Sequence, residues 1–235
     1  MKEPLLTVKN LRGWYQKEKT ILSDFSIDLK RNEVVGLIGL NGAGKTTFVK
    51  IISGLLDSFS AEEISMSGKA VGFRDNQFKN SRYTVFAEDD SFGYFTFWEY
   101  LSYVFAAYHK KQPDVSELIK GFHFEGYVDV LMKDLSMGNK KKAFLITAFA
   151  LKTQLLLLDE PVNGLDFEST EFLYQLIAGY KEYGTVLFSS HILESITLTS
   201  DRVLVLEAGK ITKCFEYEKI NATQIREALR YENDV

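Results

Sequence analysis

Four short runs of β-branched residues and leucine recur along the chain and predict buried strands. They cover residues 34–38, 155–158, 185–188 and 203–206. Strands that are apolar at every position are typical of a parallel sheet covered on both faces. Stretches with helical periodicity lie between them, at 45–56, 140–152 and 168–183. This alternation predicts an α/β fold around a mostly parallel sheet.

Three smaller regions add to this core. Residues 207–210, Glu-Ala-Gly-Lys, indicate a tight turn into a hairpin strand over 211–215. Polar and apolar residues alternate around turn glycines at 58–72, which predicts a small antiparallel β edge. The tail, residues 217–235, is predicted to form a short helix.

The middle of the chain has no convincing strand. We therefore predict a helical insertion at 91–142 within a single domain whose α/β core is residues 1–90 and 143–216. Thr96 and Glu99 have the spacing of a capping box at a helix start. The helix that follows is apolar nearly all round, so we expect it to be covered on more than one side.

Composition limits the function. The 235 residues carry a net charge of −4 and a pI near 5.5, which disfavours a nucleic-acid binder. The single cysteine, Cys214, excludes an internal disulfide and fits a reducing compartment. The N-terminus lacks the apolar core of a signal peptide. The longest apolar stretch, 143–151, is half a membrane span at most, so any work at a membrane would need another chain to cross it.

A phosphate-binding motif follows the first predicted core strand. Residues 39–46 read Gly-Leu-Asn-Gly-Ala-Gly-Lys-Thr and match G-x-x-x-x-G-K-[ST] between a strand and a helix. The glycines let successive N–H groups converge on an anion, to which the helix adds its positive end. Lys45 would bridge the β- and γ-phosphates, and the Thr46 hydroxyl would take one Mg²⁺ position. The alternative is a glycine turn before an unrelated helix, which this setting disfavours.

Two carboxylates follow the apolar strand at 155–158, at the sheet edge where parallel sheets bind ligands. Asp159 would hold Mg²⁺ through water, and Glu160 would orient and deprotonate the attacking water. The alternative is a solvated acidic turn after a core strand.

With these motifs in view, residues 5–216 resemble the ATP-binding cassette (ABC) ATPases. Five further features match in order: Tyr15 as the ring that stacks on adenine, Glu88 at the Q-loop position, residues 134–139 as the LSGGQ signature, 161–166 ending in the D-loop, and 189–191 with the switch histidine. The resemblance implies a P-loop NTPase fold of the ABC type, with ATP and Mg²⁺ as cofactors.

The resemblance also implies roles for particular residues. The residues implied in catalysis are Lys45, Glu160 and His191. The residues implied in nucleotide binding are Tyr15, Gly39, Asn41, Gly42, Ala43, Gly44, Lys45, Thr46, Thr47, Glu88, Ser136, Gly138 and Asp166. The residues implied in metal binding are Thr46, Glu88 and Asp159. Taken alone, His191 could be a structural histidine and Tyr15 a core residue. The signature departs from the family pattern at Met137 and Asn139, while glutamate at position 88 resembles many bacterial export cassettes.

In this family two cassettes pair head to tail around ATP. The resemblance thus implies an ATP-hydrolysing transporter subunit with a second cassette, identical or related, and a separate multi-span permease. It would be peripheral, on the cytoplasmic side of the membrane. A soluble ABC ATPase acting on nucleic acid, ribosomes or cluster assembly is the alternative, disfavoured by the acidic charge and a lone cassette. A regulatory module without turnover is a third reading, which Glu160 and His191 disfavour.

Three lysines, Lys140–Lys142, follow the signature near the positive end of a predicted helix, where cations usually destabilise. We expect at least one of them to favour the nucleotide-bound dimer through contacts to phosphate and its acidic surroundings. The alternative is that all three are exposed and extend over the helical insertion.

Nine of the seventeen residues from 92 to 108 are aromatic. We expect some of them to line a groove for a cytoplasmic helix of the permease: Phe92, Tyr94, Phe95 and Trp98. The alternative is that these rings only pack the insertion.

Overall fold

The computed structural model of the chain describes residues 4–17, 19–73, 75–216 and 220–230. Its strands are β1 (Pro4–Gln16), β2 (Lys19–Lys30), β3 (Val34–Ile38), β4 (Phe59–Ser60), β5 (Glu63–Met66), β6 (Lys69–Ala70), β7 (Arg82–Val85), β8 (Leu155–Asp159), β9 (Thr185–Ser190), β10 (Arg202–Glu207) and β11 (Lys210–Glu216). Its helices are α1 (Lys45–Ser53), α2 (Asn76–Ser81), α3 (Phe97–Ala107), α4 (Ser116–Gly121), α5 (Met137–Leu151), α6 (Phe167–Gly179), α7 (Leu193–Thr199) and α8 (Ala222–Arg230).

The central sheet has the order β11-β10-β3-β9-β8-β7. Its members from β10 to β7 are parallel, and β11 pairs antiparallel with β10. Every residue of β3, β8 and β9 is buried, because packed layers cover both faces of the sheet. The predicted α/β fold and the final hairpin are confirmed. The hairpin turns at Ala208 and Gly209, both with positive φ.

The antiparallel part is a second sheet, larger than the small edge predicted at 58–72. It has the order β2-β1-β5-β6, with β4 also on β1. Its size comes from β1 and β2, which are 13 and 12 residues long and pair along most of their length. Helix α1 contributes Phe48, Ile51 and Ile52 to an apolar cluster shared by the two sheets.

The stretch from 91 to 136 contains α3, α4 and two short 3₁₀ turns. The capping box of α3 is present: Glu99 N–H donates to Thr96 Oγ1 at 3.3 Å, and Thr96 N–H to Glu99 Oε2 at 2.7 Å. The expectation that α3 is covered on more than one side is wrong. Its buried residues share one stripe at helical spacing: Phe97, Tyr100, Leu101, Val104 and Phe105. Trp98 and Tyr103, on other positions of the turn, are exposed.

Helix α5 begins at Met137, three residues earlier than predicted, so only Lys140 of the three lysines lies in its first turn. The predicted tail helix is α8, while residues 217–219 and 231–235 of that tail lie outside the described residues. Across the described ranges, no helix combines the length and apolarity needed to cross a bilayer.

Candidate nucleotide site

The loop between β3 and α1 forms a cradle of backbone groups. Gly42 and Gly44 have φ of 85° and 114°, values that favour glycine. Gly44 precedes the first residue of α1, and no side chain caps the helix there. The N–H groups at this helix start therefore remain available to an anion.

The β10–β11 hairpin braces this cradle. A Cβ at Gly39 would overlap the carbonyl oxygen of Leu206. Gly209 N–H donates to Ala43 O at 3.1 Å, and Gly209 O accepts from Ser23 N–H at 3.1 Å. The cradle thus takes its shape from contacts with the far end of the chain.

A cavity of about 380 Å³ opens over the cradle. The predicted site residues that line it are Tyr15, Asn41, Gly42, Gly44, Lys45, Thr46, Thr47, Glu160 and His191. Gly39 and Ala43 belong to the same loop without lining the cavity. Ile21 and Asn163 also line it, and sequence reasoning missed both. Tyr15 is 53% exposed, so the alternative of a core tyrosine is wrong.

Lys45, Glu160 and His191 form one network at the floor of this cavity. Lys45 Nζ lies 3.3 Å from Glu160 Oε1 and donates to Gly39 O at 2.7 Å and Leu40 O at 3.3 Å. His191 Nδ1 lies 2.8 Å from Glu160 Oε2. Glu160 is buried and has a φ of 46°, a conformation that persists only where the surroundings enforce it. Such strain at a buried carboxylate is typical of a functional position.

A second set of oxygen ligands lies beside the network. Thr46 Oγ1 donates to Asp159 Oδ2 at 2.8 Å, and Ser189 Oγ donates to Asp159 Oδ1 at 2.6 Å. Glu88 lines an adjacent cavity of about 710 Å³ together with Thr46 and Asp159. Hydroxyl and carboxylate oxygens suit Mg²⁺, which completes its coordination with water and phosphate. Sequence reasoning gave Ser189 no role, although its position at a strand end beside His191 was a usable signal.

The remaining predicted residues lie elsewhere: Ser136, Gly138 and Asp166 line neither of these cavities. Ser136 caps α5, accepting from Asn139 N–H at 3.2 Å. Asp166 caps α6, accepting from Ser169 N–H at 2.8 Å. One chain therefore presents the phosphate cradle and the signature as separate surfaces.

The three lysines all have partners in their own chain. Lys140 Nζ lies 2.7 Å from Asp90 Oδ1, and Lys142 Nζ lies 2.6 Å from Asp166 Oδ2. Lys141 and Lys142 are 3% and 5% exposed, so the alternative of three exposed lysines is wrong. Lys142 holds the pKa of Asp166 well below its usual range. Burial lowers the pKa of Lys141 to about 8, against the attraction of nearby carboxylates.

The aromatic groove is lined differently from the prediction. A cavity of about 320 Å³ lies beside α3, and its aromatic walls are Tyr83, Phe86, Phe92, Tyr100, Tyr103 and Tyr108. Of the predicted residues only Phe92 lines it. Phe95 packs edge-on against Phe92 and Tyr103, while Trp98 packs on Phe97 and Tyr94 lies beneath Lys133. Phe95, Tyr94 and Trp98 are not among the residues that line this cavity.

Gly138 packs on the backbone of the segment before α6. A Cβ at this position would overlap Gly164 O. Gly138→Ala is therefore expected to lower the free energy of unfolding by about 1–3 kcal/mol, despite the better helix propensity of alanine. Gly179→Ala is the control, because its Cβ would meet nothing within 4 Å. Thermal unfolding of both variants checks this, and equal melting temperatures would contradict it.

This site combines a strand, a glycine loop and a helix whose N–H groups are available to an anion. A lysine and two carboxylates at a strand end lie beside them. Together these features define a P-loop nucleotide-binding protein.

The comparisons with known proteins narrow this class. The sequence model of the ABC transporter family matches residues 22–163. The chain is 35% identical over 220 residues to the putative ABC transporter ATP-binding protein AlbC of Bacillus subtilis, covering 89% of this chain and 90% of AlbC. It is 32% identical over 213 residues to EcsA, an ABC-type transporter ATP-binding protein of the same organism, covering 88% and 85%. The chain belongs to the ABC transporter ATP-binding proteins.

A solved structure agrees with this assignment. The ATP-binding subunit of an ABC transporter superposes with a TM-score of 0.83 at 28% identity, covering 96% of this chain and 94% of that one. The fold predicted from the resemblance is thereby confirmed.

Proposed function

We propose that this chain hydrolyses ATP to drive transport through a separate multi-span membrane permease. Two cassettes, identical in the simplest case, would close head to tail on ATP and open after hydrolysis. The observation that carries the proposal is the network of Lys45, Glu160 and His191, in which Lys45 and Glu160 are buried and His191 is exposed. It stands directly beside the Thr46–Asp159 pair, so phosphate, metal and water ligands converge.

The residues that line the 380 Å³ cavity support ATP as its ligand. Tyr15 stands half-exposed at the rim, where its ring can stack on adenine. The cradle amides then receive the phosphates. Lys45 would exchange its contacts to Gly39 O and Leu40 O for phosphate oxygens, which bind an ammonium more strongly. The buried Thr47 lines the same cavity at the start of α1.

The residues that would hold Mg²⁺ are Thr46, Asp159 and Glu88. When bound, the ion supplies neutralisation of the charge on the β- and γ-phosphates. Thr46 offers a hydroxyl oxygen, and Ser189 keeps the Asp159 carboxylate oriented. Glu88 lines the second cavity together with Thr46 and Asp159.

Glu160 is the proposed general base. As a water oxygen attacks the γ-phosphorus and the bond to the ADP oxygen breaks, the carboxylate takes the proton of that water. His191 contacts Glu160 Oε2 through its ring nitrogen, and this contact fixes the orientation of both groups. The His191 side chain is 45% exposed, and its second ring nitrogen would donate to the γ-phosphate when the imidazole carries both protons.

The signature would act on the partner's nucleotide. Ser136 is exposed and lies at the N-terminus of the 15-residue helix α5, whose dipole favours an anion. Gly138 and Asp166 lie on the same side of the fold as this helix start, joined through the Gly164 and Lys142 contacts. The 380 Å³ cavity that Lys45 lines includes none of these three residues, which supports a role across a dimer.

The permease would bind beside α3. The 320 Å³ cavity there also contains Asp89, next to Glu88, so a helix seated in it would touch the segment beside the proposed metal ligands. The subunit would then be peripheral, held on the cytoplasmic side of the membrane.

Tyr103→Ala tests the permease surface, because Tyr103 lines the cavity and is 53% exposed. We expect a loss of roughly 1–3 kcal/mol of binding free energy, seen as weaker co-purification with the permease from detergent-solubilised membranes. Tyr127→Ala is the control, because Tyr127 is exposed in the insertion but lines none of the cavities described above. Unchanged co-purification of both variants would contradict this surface. The absence of any membrane protein with the wild-type chain would favour a soluble ABC ATPase.

A further inference from the structure

The signature helix is tied to the segment that carries Glu88 by a buried ammonium. Lys141 Nζ donates to Phe86 O at 2.5 Å and to Ala87 O at 2.6 Å. Lysine is rarely this buried without partners, because an unpaired ammonium loses its hydration. The two carbonyl oxygens replace the water molecules that the ammonium loses on burial.

The tether acts on a segment that lies outside regular secondary structure. Residues 86–90 follow β7 and form neither helix nor strand. Glu88 is the next residue after Ala87 and shares a cavity with Thr46 and Asp159. The position of Glu88 relative to this metal-binding pair therefore depends on where α5 holds the two carbonyls.

Lys140 adds a second contact between α5 and this segment, whereas Lys142 ties α5 to the start of α6, and both contacts are weaker than those of Lys141. The Asp90 carboxylate that accepts from Lys140 is 92% exposed, and the Asp166 carboxylate that accepts from Lys142 is 54% exposed. Ion pairs with exposed carboxylates contribute about 0–1 kcal/mol. Lys141 differs because it is buried and its ammonium donates to two backbone carbonyl oxygens instead of to an exposed carboxylate.

Helix α5 thus contains groups facing two different nucleotides in the proposed dimer. Ser136 at its start would face the partner's ATP, and Lys141, five residues later, holds the segment facing this chain's own ATP. We infer that Lys141 is a positioning residue that couples the two ATP sites, transmitting a shift of Glu88 to the signature through α5. This inference rests on the proposed head-to-tail dimer. Coupling requires a structural element whose position both sites affect, and α5 has that position.

Lys141→Met removes the ammonium while keeping an apolar side chain of similar length. With the purified chain, we expect the dependence of hydrolysis on ATP concentration to lose its cooperativity. The ATP concentration at which dimer formation is half-maximal should rise at least about fivefold, which is the lower end of the usual range of allosteric coupling. Affinity of the monomer for a fluorescent ATP analogue should change less than dimer formation does. Lys141→Arg should restore part of the cooperativity, because its guanidinium can donate to the same carbonyls.

Lys120→Met is the control, because Lys120 is exposed on α4, and it should behave as wild type. If Lys141→Met unfolds, Lys141→Gln keeps one amide donor without the charge and replaces it in the same assays. Wild-type cooperativity in a folded Lys141→Met or Lys141→Gln chain would overturn the coupling role. A wild-type chain that binds and hydrolyses ATP without dimerising would overturn the head-to-tail dimer itself, together with this inference. Failure of both variants to bind nucleotide as monomers would mean that Lys141 only supports the fold.

Discussion

Replacing Glu160 with glutamine is expected to lower the kcat of ATP hydrolysis by about 10²- to 10⁴-fold, the usual contribution of a general base. The amide keeps the shape of the side chain but cannot accept the proton of the attacking water. It also removes a negative charge 3.3 Å from Lys45 Nζ, so ATP binding should persist or improve. Phosphate release measures the first effect, and light scattering with ATP and Mg²⁺ should detect an accumulated dimer.

Glu171→Gln is the matched control for this experiment, because Glu171 is exposed on α6. Its turnover should equal that of the wild-type chain. Turnover close to wild type in Glu160→Gln would remove Glu160 from the role of base. Loss of ATP binding in that variant would instead mean that the carboxylate only maintains the cradle through Lys45 and His191.

Lys45→Met is expected to weaken ATP binding by about 10- to 100-fold, since a charge-assisted contact to phosphate contributes roughly 1.5–3 kcal/mol. Hydrolysis should fall with it, because the γ-phosphate loses the cation that orients it. Titration with a fluorescent ATP analogue measures the affinity directly. The two variants therefore separate binding from chemistry: one loses ATP, while the other retains it without cleavage.

Lys69→Met, an exposed lysine on β6, is the control for the lost charge. Equal affinity of Lys45→Met and the wild-type chain would refute the phosphate role of Lys45. It would leave the ammonium as a structural partner of Glu160 and the loop carbonyls.

The central sheet could be predicted because burial on both faces gives most of its strands a continuous run of apolar residues. The antiparallel sheet was largely missed for the opposite reason. Strand β1 is buried at some positions and exposed at others, and its pairing with β2 shifts register between Val8 and Leu11 and again beyond. Such irregularities interrupt the two-residue period on which a strand prediction depends. Strand β7 differs because two of its four residues, Arg82 and Thr84, are polar, so no continuous apolar run marks it in the sequence.

The same contrast applies to the site. The cradle is a contiguous motif, so its residues could be named from the sequence. Hydrogen bonds between distant segments could not be, because they depend on the fold: Ser189 lies 30 residues from Asp159, and Lys141 lies 55 residues from Phe86. For the lysine run, proximity to the helix dipole suggested contacts with a nucleotide. The structure provides oxygen acceptors within the chain that sequence alone could not reveal.

The bracing of the cradle by the hairpin has a consequence for any shortened version of this protein. The family match ends at residue 163. Two residues beyond it contact the glycine loop: Leu206 packs against Gly39, and Gly209 N–H donates to Ala43 O. A fragment cut after the matched region would retain the whole glycine motif and lose the groups that hold it in shape. The smallest autonomous ATP-binding unit of this chain must therefore extend past the turn at Gly209.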